Sequence, residues 1–321
     1  MKLSIVIPVF NEEKVLPHLK ERLFKVLSSL KEDYEIIFVS DGSIDQSATL
    51  IKSWMKEDER IILLELSRNF GHQPAIAAGL AETTGDAVVI LDADLQDPPE
   101  KISEMIAKWK EGYKIVLAQR TMRKENFMRA ALFKLFYKMF VMLSDLPVLI
   151  NSGVFGLMDR VVVSYLLRLG ESNRYLPGLR GWLGFETATI SYEREERFAD
   201  KPKQSLRRLF EYGFNAIFSF SYKPIRICFV LGCLISLASF GYGSILIIRR
   251  VLNIDVVPGF TTPTVAIFFI GGVLLISNGI IGEYLARIYD EVKRRPLFIV
   301  ARKTKRQANG QVSTQDIEPS R

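Results

Sequence analysis

Two carboxylates one residue apart, Asp92 and Asp94 in the run DADLQD, carry the first chemical signal in the chain. They follow a short apolar stretch, residues 87–91, that predicts a buried parallel strand. Just past such a strand their side chains can lie close together at the carboxyl edge of a sheet, where open α/β folds bind ligands. Like charges so near each other repel, and a cation between them relieves the repulsion. Hard carboxylate oxygens suit Mg²⁺ or Mn²⁺, ions that usually also hold phosphate oxygens. A structural reading competes, because Asp-x-Asp is common in turns and caps. Asp97-Pro98-Pro99-Glu100 likewise reads as N-cap, N1, N2 and N3 of the next helix.

A sheet must hold such a pair. Residues 3–9 predict a first strand, ending at Pro8-Val9-Phe10-Asn11-Glu12-Glu13. Val15, Leu16, Leu19, Leu23, Val26 and Leu27 follow at helical spacing. Residues 34–40 predict a second strand ending in Asp41-Gly42-Ser43, and a helix is expected from near Ser43 with Asp45 in its first turn. Strands over 61–66, 87–91 and 114–118, with an Ala-rich helix over 71–81, complete a βαβα alternation. That alternation predicts a mostly parallel, doubly wound α/β sheet. Glu12, Asp41 and the Asp92/Asp94 pair then sit at three strand ends that converge on one crevice. A carboxylate at the first or second strand can accept from a base N–H or a ribose hydroxyl, and the pair at the fourth can hold a diphosphate. No G-x-G-x-x-G follows the first strand, so the crevice suits a nucleotide sugar and not a dinucleotide.

The stretches SIVIPVFNEE, SDGSID, LSRNFGHQPAIAAGL and DADLQDPPE, in this order, resemble the GT-A domain of family 2 glycosyltransferases. With the apolar segments described below, residues 2–300 resemble the polyprenyl-phosphate glycosyltransferases, which include bactoprenol glucosyltransferases and dolichol-phosphate mannose synthases. The resemblance implies a Rossmann-like GT-A fold. It implies that Pro8, Phe10, Glu12 and Asp41 cradle the nucleotide, and that Asp92, Asp94 and Gln96 hold Mg²⁺ or Mn²⁺ and the diphosphate. It also implies that Arg120 and Arg129 bind an acceptor phosphate, which a guanidinium can grip bidentately. Lys203 matches a basic loop of relatives and reads either as a phosphate contact or as solvated surface. Inversion at the sugar and a homotetrameric assembly are further implications of the family.

The match has departures. Ser40 stands where relatives carry the first acid of Asp-Asp-Gly-Ser, and Asp41 keeps the second. In NSGVFGLMDR, Val154 and Gly156 replace the Asp and Arg of the relatives' Gly-Asp-Phe-Arg-Leu-Met. That Asp is a proposed base. A phosphate monoester has a second pKa near ~6, so it is already a nucleophile at neutral pH, whereas an alcohol must lose a proton. Val154 therefore suits a lipid-phosphate acceptor, a different sugar, or an inactive member. His72 and Arg68 lie in the stretch before the fourth strand and read as site residues or as packing and ion-pair residues. The run from Glu171 to Gly178, with Trp182, continues the family pattern near the expected sugar site and reads equally as capping and packing.

The 321 residues suggest about two domains, and a net charge of +7 fits a phosphate-rich partner, either lipid headgroups or nucleotide. Nucleic acid is disfavoured: there is no zinc-finger spacing, RNP-like run or basic recognition helix. Cys228 and Cys233 lie in an apolar segment and read as small hydrophobes. The amino terminus enters a strand at once with no signal peptide, so the first domain is expected in the cytoplasm.

Residues 127–143 and 205–222 mix basic with apolar side chains and read as interfacial helices; a core helix is the alternative for the first. Residues 227–248 and 256–282 contain no charge and are long enough to cross ~30 Å of hydrocarbon. Basic flanks at Arg207, Arg208, Lys223 and Arg226, and again from Arg287 to Arg306, place both termini in the cytoplasm. The expected layout is a GT-A domain over 1–204, an interfacial helix over 205–223, a two-span hairpin over 224–290, and a basic, polar tail over 291–321, disordered beyond about 307. The expected activity is transfer of one sugar from a nucleotide sugar to polyprenyl phosphate at a multi-pass position in the plasma membrane. The rivals are an inactive partner subunit that binds nucleotide sugar or lipid, and a processive synthase. The latter is disfavoured by only two spans and no Gln-x-x-Arg-Trp motif.

Overall fold

The computed structural model describes residues 1–120, 152–171, 174–193, 223–252, 261–306 and 311–316. The expected interfacial helices, 127–143 and 205–222, lie outside the described residues, as do Arg129 and Lys203. The chain divides into two compact units.

Among the described residues, the first unit is built on a nine-stranded sheet in the order β7-β5-β6-β4-β1-β2-β3-β8-β9. Its centre is four adjacent parallel strands: β4 (Ala87–Ile90), β1 (Lys2–Val9), β2 (Asp33–Ser40) and β3 (Ile61–Leu66). β5 (Ile115–Arg120) and β7 (Thr187–Tyr192) pair in parallel, while β6 (Ser152–Asp159) runs against both β4 and β5. β8 (Val300–Arg306) runs against β3, and β9 (Val312–Asp316) against β8. Only β6 and β8 point the opposite way, so the sheet is mixed but mostly parallel in direction.

Helices cover both faces, which is why the central strands are apolar without alternation. On one face α1 (Leu16–Ser29), α2 (Ser47–Met55) and α4 (Ile102–Lys110) pack Leu19, Leu23, Trp54 and Met105 against Ile5, Ile7, Ile36 and Phe38. On the other, α3 (His72–Glu82) packs Ala75 and Ala78 against Ile37, Val39, Leu64 and Leu66. The small residues of α3 bring it close: a Cβ at Gly79 would lie 2.3 Å from Val6 Cγ1. The strand ends opposite the site are fixed by a buried acid. Glu35 accepts from Ser4 Oγ at 2.6 Å and Thr84 N at 2.7 Å, and pairs with Lys2 Nζ at 2.7 Å. Burial opposes its charge, but these partners hold its pKa below the usual value.

The structure corrects three expectations and adds one strand. The helix after β2 begins at Ser47, not near Ser43, because the residues between are drawn into contacts with the loop after β1. Asp97 caps no helix: Pro98 holds the cap position of a 3₁₀ turn, Pro99–Lys101, and the Asp97 carboxylate turns inward. Residues 152–159, read from the sequence only for their motif, form β6. The tail over 291–321 is not wholly a polar appendage, since β8 and β9 extend the sheet of the first unit. Phe298 and Val300 pack against the Leu64 and Leu66 cluster, and Thr304 is fully buried, so this edge of the parallel sheet is covered by later chain.

The second unit contains α7 (Lys223–Val251) and α8 (Thr261–Lys293). Lys223–Tyr242 and Phe269–Lys293 are long and apolar enough to cross a membrane, and their described apolar side chains are largely exposed. α8 continues past the uncharged stretch to Lys293, with Glu283 and Arg287 paired at 2.9 Å one turn apart. Two further helices, α5 (Arg160–Arg168) and α6 (Leu176–Trp182), belong to the first unit.

Candidate active site

The carboxyl ends of β1, β2 and β4 open into one cavity of about 750 Å³, within the range of small-ligand sites. Pro8, Phe10, Glu12, Asp41, Asp92 and Asp94, all named from the sequence, line it together. The wall also includes Asn11, Glu13, Lys14, Asp45, Asn69 and His72.

The loops after β1 and β2 are tied to each other. Asn11 adopts a left-handed backbone (φ 56°) and its Oδ1 accepts from Ile44 N at 2.9 Å. Glu12 N donates to Ser47 Oγ and Glu13 N to Asp45 Oδ2, each at 3.0 Å. Phe10 is left 48% exposed at the cavity. Asp41 is only 4% exposed, and its oxygens accept from Phe70 N at 2.7 Å and Gly71 N at 2.9 Å. It therefore organises the loop before α3 and meets the cavity from within that arrangement. Arg68 stacks over Phe70, 4.0 Å from the ring centre, and donates to Asn69 O at 2.9 Å, which makes it a loop-shaping residue.

At the floor, His72 Nε2 lies 2.9 Å from Asp92 Oδ1, and Gln96 N donates to Asp94 Oδ1 at 3.2 Å. Burial works against a charged His72 ring, but Asp92, with Asp94 and Asp41 behind it, raises its pKa overall. Each carboxylate of the pair is thus oriented through its Oδ1. Among the described residues no three His, Cys, Asp or Glu side chains converge as a ready-made metal cage. Two oriented carboxylates nevertheless fit Mg²⁺ or Mn²⁺, which commonly take one or two protein carboxylates and complete their shell with phosphate and water. Gln96 is half-buried and does not line the cavity.

Arg120 ends β5 and is held by groups the sequence did not flag. Its Nε donates to Tyr192 Oη at 2.9 Å, and its Nη2 lies 3.6 Å from Asp97 Oδ1. Tyr192 Oη in turn donates to the same Asp97 oxygen. Asp97 is 1% exposed, and burial, reinforced by the charge of Asp92, pushes its pKa up to about 6. Burial and Asp97 raise the Tyr192 phenol as well. No run of residues marks this cluster, because β7 brings Tyr192 alongside β5 from far along the chain.

β6 lies beside this cluster. Arg180, on α6, is 2% exposed and donates to the carbonyls of Val154 and Gly153; burial lowers its pKa to about 10. A Cβ on Gly156 would lie 2.6 Å from Val116 O and 3.3 Å from Arg180 Nη1. With the Val116 carbonyl so close, position 156 holds only glycine, and Val154 is buried at 8% exposure.

Comparison with known proteins gives the family. The model of glycosyl transferase family 2 matches residues 4–167, and that of the GtrB C-terminal hairpin matches 223–288. An uncharacterized glycosyltransferase of Synechocystis is 44% identical over 303 residues, 94% of this chain and 95% of that one. The uncharacterized glycosyltransferase YkcC of Bacillus subtilis is 42% identical over 298 residues, covering 92% of each. The bactoprenol glucosyl transferase of Shigella phage SfX is 38% identical over 301 residues, 94% of this chain and 99% of its own. The resemblance read from the motifs thus holds across nearly the whole chain, and the protein, a glycosyltransferase, belongs to glycosyl transferase family 2.

Proposed function

We propose that this glycosyltransferase transfers a single sugar from a nucleotide sugar, a UDP-sugar by preference, to polyprenyl (undecaprenyl) phosphate at the cytoplasmic face of the plasma membrane. The observation that carries this reading is the one cavity that gathers Phe10, Glu12, Asp41 and the Asp92/Asp94 pair, in a chain that also has two apolar helices of membrane-crossing length. The name of the phage relative, a bactoprenol glucosyl transferase, supports a polyprenyl acceptor.

Phe10 would offer a ring face to a base, and Glu12 and Asp41, which line the same cavity, would accept from base or ribose donors. Asp92 and Asp94, with Gln96 beside them, would hold Mg²⁺ or Mn²⁺, which when bound neutralises the departing nucleoside diphosphate. Arg120 would hold the acceptor phosphate, joined by Arg129 and Lys203 from outside the described residues. Attack by the phosphate from the side opposite the diphosphate inverts the anomeric carbon and gives a β-linked lipid sugar. No base is needed at Val154, because a phosphate monoester is largely dianionic at neutral pH.

The fold supports a two-span anchor with both ends of the chain on one side, and the basic flanks favour the cytoplasmic side. The chain leaves the first unit before α7 and returns after α8 to supply β8 of the same sheet. One sheet cannot straddle a bilayer, so the crossings between must be even in number. The catalytic domain then comprises residues 1–204 together with 300–316, and the hairpin 224–290.

The test is incubation of the purified protein with polyprenyl phosphate and a panel of labelled UDP- and GDP-sugars. One sugar per lipid supports the proposal, and growing polymer supports a processive synthase. Nucleotide binding without turnover supports an inactive partner subunit, the reading that buried Val154 favours. Asp94→Ala should lower metal-dependent transfer by about 10²-fold or more with thermal stability retained; wild-type rates in this variant would remove the metal assignment.

A further inference from the structure

We propose that Tyr192 and Asp97 are positioning residues for Arg120: the Tyr192 hydroxyl, bridging Arg120 Nε and Asp97 Oδ1, sets the guanidinium in the orientation that receives an acceptor phosphate. This rests on the reading of Arg120 given above and adds two residues to it.

The geometry has three parts. First, the Arg120–Tyr192 bond at 2.9 Å uses Nε, the one nitrogen on the arm side of the fork. Fixing Nε fixes the guanidinium plane, and with it the two terminal nitrogens that make bidentate contacts to phosphate. Second, Asp97 stands off from Arg120 at 3.6 Å and is reached through the hydroxyl. A carboxylate in direct bidentate contact would occupy the same nitrogens a phosphate needs; an interposed hydroxyl steers the arginine without capping it. Third, the neighbours leave the fork its place. Gly153 presents no side chain where a Cβ would lie 3.1 Å from Arg120 Nη2. The Tyr192 ring is itself pinned edge-on against Phe155, with centroids 5.8 Å apart at 89°.

A purely structural role is the alternative, since a buried tyrosine needs a partner for its hydroxyl. The two differ in what a ligand's phosphate feels. A packing role predicts equal effects on any lipid ligand, whereas a positioning role predicts an effect only where a phosphate is present.

The full-length protein in detergent is titrated with a short-chain polyprenyl phosphate and separately with the matching polyprenyl alcohol, at pH 7.5. Wild type is expected to prefer the phosphate, and Arg120→Ala to lose that preference. Tyr192→Phe keeps the ring against Phe155 and deletes only the hydroxyl. It should weaken phosphate binding about five- to tenfold, with alcohol binding unchanged. Asp97→Asn, which keeps shape and removes the charge, should move affinity in the same direction. If Arg120→Ala loses the preference while Tyr192→Phe binds phosphate as wild type does, the inference fails and the role of Arg120 stands. If Arg120→Ala keeps the preference, or wild type has none, the acceptor reading of Arg120 fails and takes the inference with it. Equal weakening of phosphate and alcohol by Tyr192→Phe overturns the inference in favour of packing. Because binding is measured, these outcomes do not depend on turnover.

Discussion

A carboxylate that is 1% exposed and lies near Asp92 and Asp94 resists ionisation, and Asp97 accordingly has its pKa pushed up to about 6 from an ordinary 3.8. Burial is the main cause, and Arg120 and Tyr192 offset it only in part. A pKa raised on folding means that the folded state holds this proton more tightly. The stabilisation is therefore complete below pH 3.8 and is lost as pH rises through about 6. The difference corresponds to about 3 kcal/mol. Asp97→Asn, which cannot ionise, should escape that loss. With metal chelated, the Tm of the wild type should fall relative to Asp97→Asn between pH 4 and 6.5, and parallel curves would rule the shift out. Asp97 also shows what was illegible at this scale. Asp92 and Asp94 announced themselves because only Ala93 separates them and they follow a strand. Asp97 looked like a cap because two prolines follow it, and its partner Tyr192 comes from 95 residues away.

Among the elements, the strands that could be read were those buried on both faces. KLSIVIPV and AVVI are apolar almost throughout, as central parallel strands must be, and the expected and observed bounds differ by no more than two residues for all five strands named. β6 and β8 escaped notice for opposite reasons. β6 is broken by Gly153 and Gly156, which are there because Arg120, Arg180 and the Val116 carbonyl occupy the space. β8, VARKTKR, is so basic that only its pairing with β3 reveals a strand. The loops between the readable elements hold the site, and Gly42 is where they are tightest. Its φ is +68°, and a Cβ there would lie 2.5 Å from Asn69 N and 2.6 Å from the Arg68 carbonyl carbon, both backbone atoms. Neither can yield without moving the segment that donates to Asp41. Gly42→Ala should therefore cost about 1–3 kcal/mol and weaken UDP or GDP binding together with it. Thermal melting and nucleotide titration check this, and an unaltered Tm would mean the loop is more forgiving than its geometry indicates.

At the scale of the whole molecule, the two apolar helices are bracketed by parts of one sheet. Length and lack of charge made α7 and α8 readable as helices long enough to cross a membrane, but nothing in residues 300–316 indicated that the chain returns to the sheet it left. That return constrains topology more firmly than the count of basic residues on each side. Charge bias can be overturned by a few lysines, whereas β8 cannot pair with β3 from across a bilayer. Leu252, just past the end of α7, and Gln315, on β9, should thus lie on opposite sides of the membrane, with Gln315 on the side of the catalytic sheet. Single cysteines can report this once Cys228 and Cys233 are replaced by alanine. In intact cells a membrane-impermeant maleimide should label Leu252→Cys and leave Gln315→Cys unmodified. Permeabilisation should expose the latter, as it should Lys56→Cys after α2 on the same unit. Labelling of Leu252→Cys and Gln315→Cys from one side would mean an odd number of crossings or none. Either the hairpin does not span or β8 does not reach β3, and the proposed place of the acceptor phosphate beside the bilayer would have to be given up.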